Sequence, residues 1–155
     1  MIQLVKLIDL EAEQRVISSM MFSEEACIEA MTFLEDKDFS DTFHLAVFST
    51  VSGLFTRGVK PTYTEVAKEG LKTGIIIGQQ DMNRLREIAE KFIDSENIIY
   101  WTEEVRTKSK LRHLDFMLRK YQNRIEVGKD SDAEEVLSEA SEEFSDLSVI
   151  NADED

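Results

Sequence analysis

The spacing of apolar residues along the chain is helical almost throughout. Asp9 is placed to cap a first helix, with Glu11 and Glu13 in its first turn, and Leu10, Ile17, Met20 and Met21 share a face behind it. Ser23 can cap a second helix, in which Cys27, Ile28 and Met31 recur. The polar stretch EDKDFSD (35–41) reads as a loop with one buried anchor, Phe39. Asp41 or Thr42 then starts a third helix carrying Phe43, Leu45, Ala46, Val47, Phe48, Val51, Leu54 and Phe55. Its surface is apolar nearly all round, which places it at the centre of a core. Gly58 can close it in the left-handed conformation. Pro61 stiffens the entry to the next helix, where Thr62 and Glu65 fit a capping box ahead of Val66, Ala67 and Leu71. The stretch TGIIIGQQ (73–80) has strand-like isoleucines, but no second segment could pair with it, so it reads as a buried connector. Met82, Leu85, Ile88, Ala89, Phe92 and Ile93 outline another amphipathic helix, interrupted by Asp94, Ser95 and Asn97.

From Asn97 to Ile125 the chain holds no glycine or proline. Ile98, Trp101 and Val105 form one stripe; Leu111, Leu114, Leu118, Tyr121 and Ile125 form a second at heptad spacing. The two are out of phase at Lys108, which predicts a bend or a change of packing partner there. VGKDSD (127–132) reads as a turn, Ser131 and Glu134 as a second capping box, and Val136, Leu137, Ala140, Phe144 and Leu147 as the apolar line of a last helix. Two helices joined by a short turn bury little between them, so this hairpin must dock on the body or on another chain; its separation from the body favours another chain. The pattern therefore predicts an all-α protein: a helical globular body over 1–105, a helical hairpin for subunit pairing over 106–148, and a disordered tail over 149–155.

Composition sharpens this picture. A chain of 155 residues suits one compact domain with an appendage, and a 42% hydrophobic content is enough for a real core. One proline and six glycines favour helix. The formal net charge is −14, which disfavours direct nucleic-acid binding. The charge is uneven: Arg106, Lys108, Lys110, Arg112, Arg119, Lys120 and Arg124 make a basic stretch, and acids dominate from Glu126 onward. Such asymmetry fits helix pairing, with Arg112, Arg119 and Lys120 meeting Glu135, Glu139 and Glu142 within or between chains. No apolar run approaches the roughly 20 residues of a membrane span. The amino terminus lacks the pattern of a signal peptide, and Cys27 has no partner for a disulfide, so a cytoplasmic location is expected.

Candidate chemistry is sparse. GLFTRGVKPT (53–62) approaches the phosphate-binding pattern G-x-x-x-x-G-K-[ST], but Val59 delays the lysine and Pro61 stands where a hydroxyl must hold magnesium. A helix end followed by a turn explains it better. Asp41 and His44 could be two metal ligands on one helical face, yet there is no second such pair and Asp41 serves better as a cap. Glu139, Glu142 and Asp146 could hold magnesium only opposite further acids, and the facing helix is basic. Cys27 lies on an apolar face without a basic neighbour. No G-x-S-x-G elbow is present. These residues make no catalytic, cofactor or metal site.

With the segments in place, the chain resembles the amino-terminal domain of DnaB-type replicative helicases. LEAEQRVISSMM (10–21) is similar to that family's opening, LEDKDFSDTFHLAVF (34–48) to its E-D-F-Y-x-x-x-H stretch, and RGVKPTYTEVAKEGLKTG (57–74) to the turn and helix that follow. NIIYWTEEVRTKSKLRHL (97–114) and DAEEVLSEASEEF (132–144) resemble the two arms of its hairpin. Ser18 replaces the usual glycine, Ser40 the usual tyrosine, and the region of IIIGQQ lacks the family's G-G-x-x-Y-L, which marks a divergent member such as a phage or plasmid form. The resemblance implies dimers through paired hairpins, up to a hexameric collar built as a trimer of dimers, with surfaces for primase and a helicase loader. It also implies that ATP and magnesium belong to the C-terminal domain of a longer parent, beyond a linker that would begin where this chain ends, and that this chain is not itself an enzyme. Two rival readings remain: a free-standing loader or inhibitor that binds a helicase, and an all-α nucleoside triphosphate pyrophosphohydrolase using Glu139, Glu142 and Asp146.

Overall fold

The computed structural model describes residues 7–92, 97–128 and 133–152, and all regular structure among them is helical. Several sequence expectations lie outside those residues: the amino-terminal six, Ile93, the break at Asp94 and Ser95, Ser131 of the second capping box with most of its turn, and the final three residues. Among the described residues, the α-helices in order are α1 Leu10–Phe22, α2 Glu24–Phe33, α3 Thr42–Thr56, α4 Tyr63–Thr73, α5 Gln79–Ala89, α6 Ile98–Val127 and α7 Ala133–Ala152. A short 3-10 turn, Asp36–Asp38, separates α2 from α3. By internal contacts the chain divides into two units, Met1–Ser109 and Lys110–Asp155, and α6 contributes to both.

Local chemistry sets the helix starts. Asp9 accepts from Ala12 N, Ser23 from Ala26 N, Asp41 from Phe43 N and His44 N, and Thr62 from Glu65 N, so each satisfies a backbone donor that the first turn leaves open. At the end of α3, Gly58 takes φ +82°; its N–H donates to Phe55 O and Val59 N donates to Leu54 O. This is a Schellman ending, and it accounts for the phosphate-loop look of residues 53–62.

In the first unit, α1 packs on α2, α3 and α5, while α3 also meets α2, α4 and the 3-10 turn. Val16, Ile17 and Met20 of α1 and Val47, Phe48 and Val51 of α3 are buried at the centre, and the rings of Phe39 and Phe48 pack at a tilt with centroids 4.5 Å apart. Leu85 and Ile88 of α5 and Val105 of α6 complete the core.

Four apolar residues expected inside lie outside. Leu10 opens α1 at its edge, and Ile28 and Leu71 sit about 100° round the helix from Cys27 and Gly70, which hold the inward positions. In the connector, Ile76 is buried and Ile77 is 77% exposed, so that segment turns one isoleucine inward and one out. α6 runs unbroken through Lys108. α7 continues to Ala152, past the expected end at residue 148, since no glycine or proline intervenes.

Candidate assembly site

The hairpin arms are the part of α6 beyond Ser109 and the whole of α7. In this unit Met117 is fully buried and Tyr121 nearly so. Leu114, Val136, Ala140, Phe144 and Leu147 are half-buried. The other members of the heptad line point outward: Leu111 is 39% exposed, Leu118 55% and Ile125 73%. They stand at i, i+7 and i+14, one stripe along α6. Leu137 and Phe116 are exposed as well. The ten apolar residues expected at an interface thus fall into two sets. Leu114, Tyr121, Val136, Ala140, Phe144 and Leu147 are at least half covered within the hairpin unit; Leu111, Leu118, Ile125 and Leu137 face solvent. Met117 was not anticipated, because it stands one place before Leu118 and off the 3, 4, 3, 4 line.

Charges join the arms. Lys120 Nζ lies 2.7 Å from Glu143 Oε1, and the Tyr121 hydroxyl donates to the same oxygen at 2.5 Å. Arg124 pairs with Glu139. The hydrogen bonds from Lys120 and Tyr121 hold the Glu143 carboxyl below its ordinary range. Desolvation, together with that carboxylate, pushes the Tyr121 hydroxyl up to about 12. Within the chain Lys120 and Glu139 take part in cross-arm pairs, while Arg119 turns back to Asp115 on its own helix at 3.0 Å and Glu143, beside the exposed Glu142, meets the basic arm.

The first unit contains a polar cluster that the apolar pattern did not reveal. Glu13 is 1% exposed. Its carboxylate accepts from Ser40 N at 3.0 Å, Ser40 Oγ at 2.6 Å and Asp41 N at 3.5 Å, and lies 2.9 Å from His44 Nδ1. His44 Nε2 is 3.4 Å from the Gln14 amide. Asp41 caps α3 and pairs with Arg84 at 3.2 Å. Asp41 and His44 are thus committed to a cap and to a buried carboxylate rather than to a metal. The signal was present in the glutamate of LEAEQ and the D-x-x-H spacing, but Glu13 looked like an ordinary first-turn acid.

The remaining candidates are also occupied or inert. The Cys27 thiol is buried and donates to Met20 O at 3.0 Å, and burial pushes it up to about 11. Glu139 is engaged by Arg124, while Glu142 and Asp146 are exposed. Among the described residues no group of three or more His, Cys, Asp or Glu side chains could hold a metal ion, and no helix is long and apolar enough to cross a membrane.

Residues 5–107 match the family model for the DnaB-like helicase N terminal domain. The structure is similar to the crystal structure of the N-terminal domain of DnaB helicase from Mycobacterium tuberculosis, with a TM-score of 0.79 at 24% identity, covering 90% of this chain and 97% of that one. That likeness shows the all-α fold. A comparison with curated proteins finds no match.

Proposed function

The chain belongs to the DnaB-like helicase N-terminal domain family, and from that premise we propose that it assembles the subunits of a hexameric replicative helicase and docks its partners. Hairpins of two subunits pair, and three such dimers form a collar. The body offers surfaces to primase and a helicase loader, as in a primosome, and the complex works in the cytoplasm. The chain holds no catalytic or cofactor site of its own; ATP and magnesium act in a separate domain of the parent helicase.

The observation that carries this reading is the solvent-facing stripe Leu111, Leu118 and Ile125, which adjoins the covered side of the same helix at Leu114, Met117 and Tyr121. A row of exposed aliphatic residues two heptads long is more than a monomer ordinarily leaves in water. A two-fold pairing covers both copies at once. Leu118→Asp puts an unpaired charge into that seam without touching Met117 or Tyr121. Light scattering should find the parent chain at least dimeric at about 100 µM and the variant a folded monomer. A monomeric parent at that concentration sinks the reading, as does a variant that loses its helical signal throughout, because the stripe would then belong to the subunit's own core.

A further inference from the structure

One cleft of about 510 Å³ lies between α3 and the end of α2 with its 3-10 turn, and a second of about 360 Å³ lies between the α1–α2 junction and residues 55–61. Met31 and Leu34, at the end of α2, share the first with Phe48 and Ser52 of α3. Glu24 and Cys27, at the start of α2, share the second with Phe55, at the end of α3. The two helices therefore run antiparallel, and the clefts lie toward opposite ends of α2. Residues 27, 31 and 34 of the first and 48, 52 and 55 of the second repeat at helical spacing, so each set is a single helix face. From Glu24 to Leu34 the chain of α2 rises about 15 Å, so a helix of three turns laid along it would span both clefts. Ser52 Oγ lies at the wall of the larger cleft, buried and without a hydrogen-bond partner.

Charge selects the occupant. Between Arg15 and Lys37 the chain carries no basic residue, while Glu24, Glu25, Glu29, Glu35 and Asp36 follow one another along and beyond α2. Glu24, Glu35 and Asp36 line the clefts themselves. Of the two lysines at the rim, Lys37 is paired with Glu35 at 3.3 Å, and Lys60 stands at the far end. Such a rim repels phosphates, anionic lipid and a second copy of a chain with net charge −14. We propose that the face of α2 bearing these two clefts is the docking site for a basic amphipathic helix of a second protein, with apolar residues at i, i+3, i+4 and i+7 seated in the clefts and lysines or arginines over the α2 acids. This rests on the reading of the chain as a partner-binding module but not on the hairpin.

The probe is a fluorescein-labelled peptide of about 18 residues, five helical turns, with leucines at that spacing and lysines on the flanks. Its controls are a scrambled peptide of equal composition and a version with glutamate for lysine. Titrated against the full chain, the patterned basic peptide should raise the anisotropy and shift the amide resonances of Met31, Phe48, Ser52 and Phe55. The glutamate version, the scrambled peptide, the Ser52→Trp variant and the Glu35→Lys, Asp36→Lys double variant should each weaken binding about tenfold or more. The double variant alters the 3-10 turn but no residue of α2 or α3, and so guards against misfolding of the helices in Ser52→Trp. No binding, equal binding of the scrambled peptide, or shifts confined to residues away from α2 and α3 overturns the proposal. Light scattering on the same samples separates the two readings, since a failed docking site with an intact dimer leaves hairpin pairing in place.

Discussion

Glu13 shows how much one side chain can decide. A carboxylate that is 1% exposed would be costly alone, and burial by itself pushes its pKa up. His44, the Ser40 hydroxyl and the Ser40 amide outweigh burial and hold the carboxyl below its ordinary value. The folded value being the lower one, the ionised group stabilises the fold above the unfolded value near 4.5, and that contribution is lost as pH falls through the folded value. Asp41 behaves alike: burial raises it, and the His44 amide, with the charges of His44 and Arg84, lowers it further than burial raises it. Glu13→Gln should therefore cost about 3 kcal/mol at pH 7, because an amide cannot accept from all four donors. It should also flatten, without abolishing, the fall in stability below pH 4.5, since Asp41 still titrates. Urea melts of both proteins from pH 3 to 7 test this. An unchanged acid limb in the variant would show that the cluster is not ionised as described.

At the scale of elements, α3 and the α4–α5 connector carry the next expectations. Phe48 is 2% exposed, midway along α3 and against Phe39. Phe48→Ala should destabilise by about 3–5 kcal/mol through lost transfer energy and a cavity; a loss under about 1 kcal/mol in a urea titration would remove α3 from the centre of the core. Gly70 makes a sharper case. Alanine there would gain about 1 kcal/mol of helix propensity, but its Cβ would fall 2.6 Å from Ile76 Cδ1 and 2.8 Å from Cγ1. Ile76 is buried and its N–H donates to Gly70 O, so it has little room to yield. Overpacking wins by about 1 kcal/mol, so Gly70→Ala should lower the urea midpoint and Ile76→Val should restore part of it. A stabilising Gly70→Ala would mean the connector moves freely. These elements also show what a sequence can convey. Caps were legible because Asp9, Ser23, Asp41 and Thr62 act within three residues of themselves. Ile28, Leu71 and Ile77 were misplaced because neighbouring apolar residues compete for one inward position, and only the packing partner chooses between them. Glu13 was hidden for a related reason: its partners arrive 27 to 31 residues later in the chain. In the hairpin the heptad line was visible, but not that Leu114 and Tyr121 turn toward cover while Leu111, Leu118 and Ile125 turn away.

For the whole molecule, apolar surface and net charge set different properties. If the stripe on α6 supplies the affinity of self-association, salt should matter little to it. The hairpin's ion pairs are partly exposed and each contributes at most about 1 kcal/mol, so a dimer seen by light scattering in dilute buffer should persist in 1 M sodium chloride, where the screening length is about 3 Å. Dissociation there would assign the seam to charge instead. DNA presents the opposite case. Binding to mixed-sequence DNA rests on lysines and arginines that displace counterions from phosphates. This chain carries 18 such residues against 32 acids. Several are already held by carboxylates: Arg15 by Glu11, Arg57 by Glu69, Arg84 by Asp41, Lys120 by Glu143 and Arg124 by Glu139. A phosphate would have to displace an acid and then face the repulsion of the rest. The chain should therefore bind labelled duplex and single strands no more tightly than about 100 µM at physiological salt, the weak end of non-specific binding. Fluorescence anisotropy over a salt series measures this directly. A micromolar complex at that salt would mean that the cations of α6 form a DNA-gripping face, and that the domain handles the strand itself instead of only organising the subunits that do.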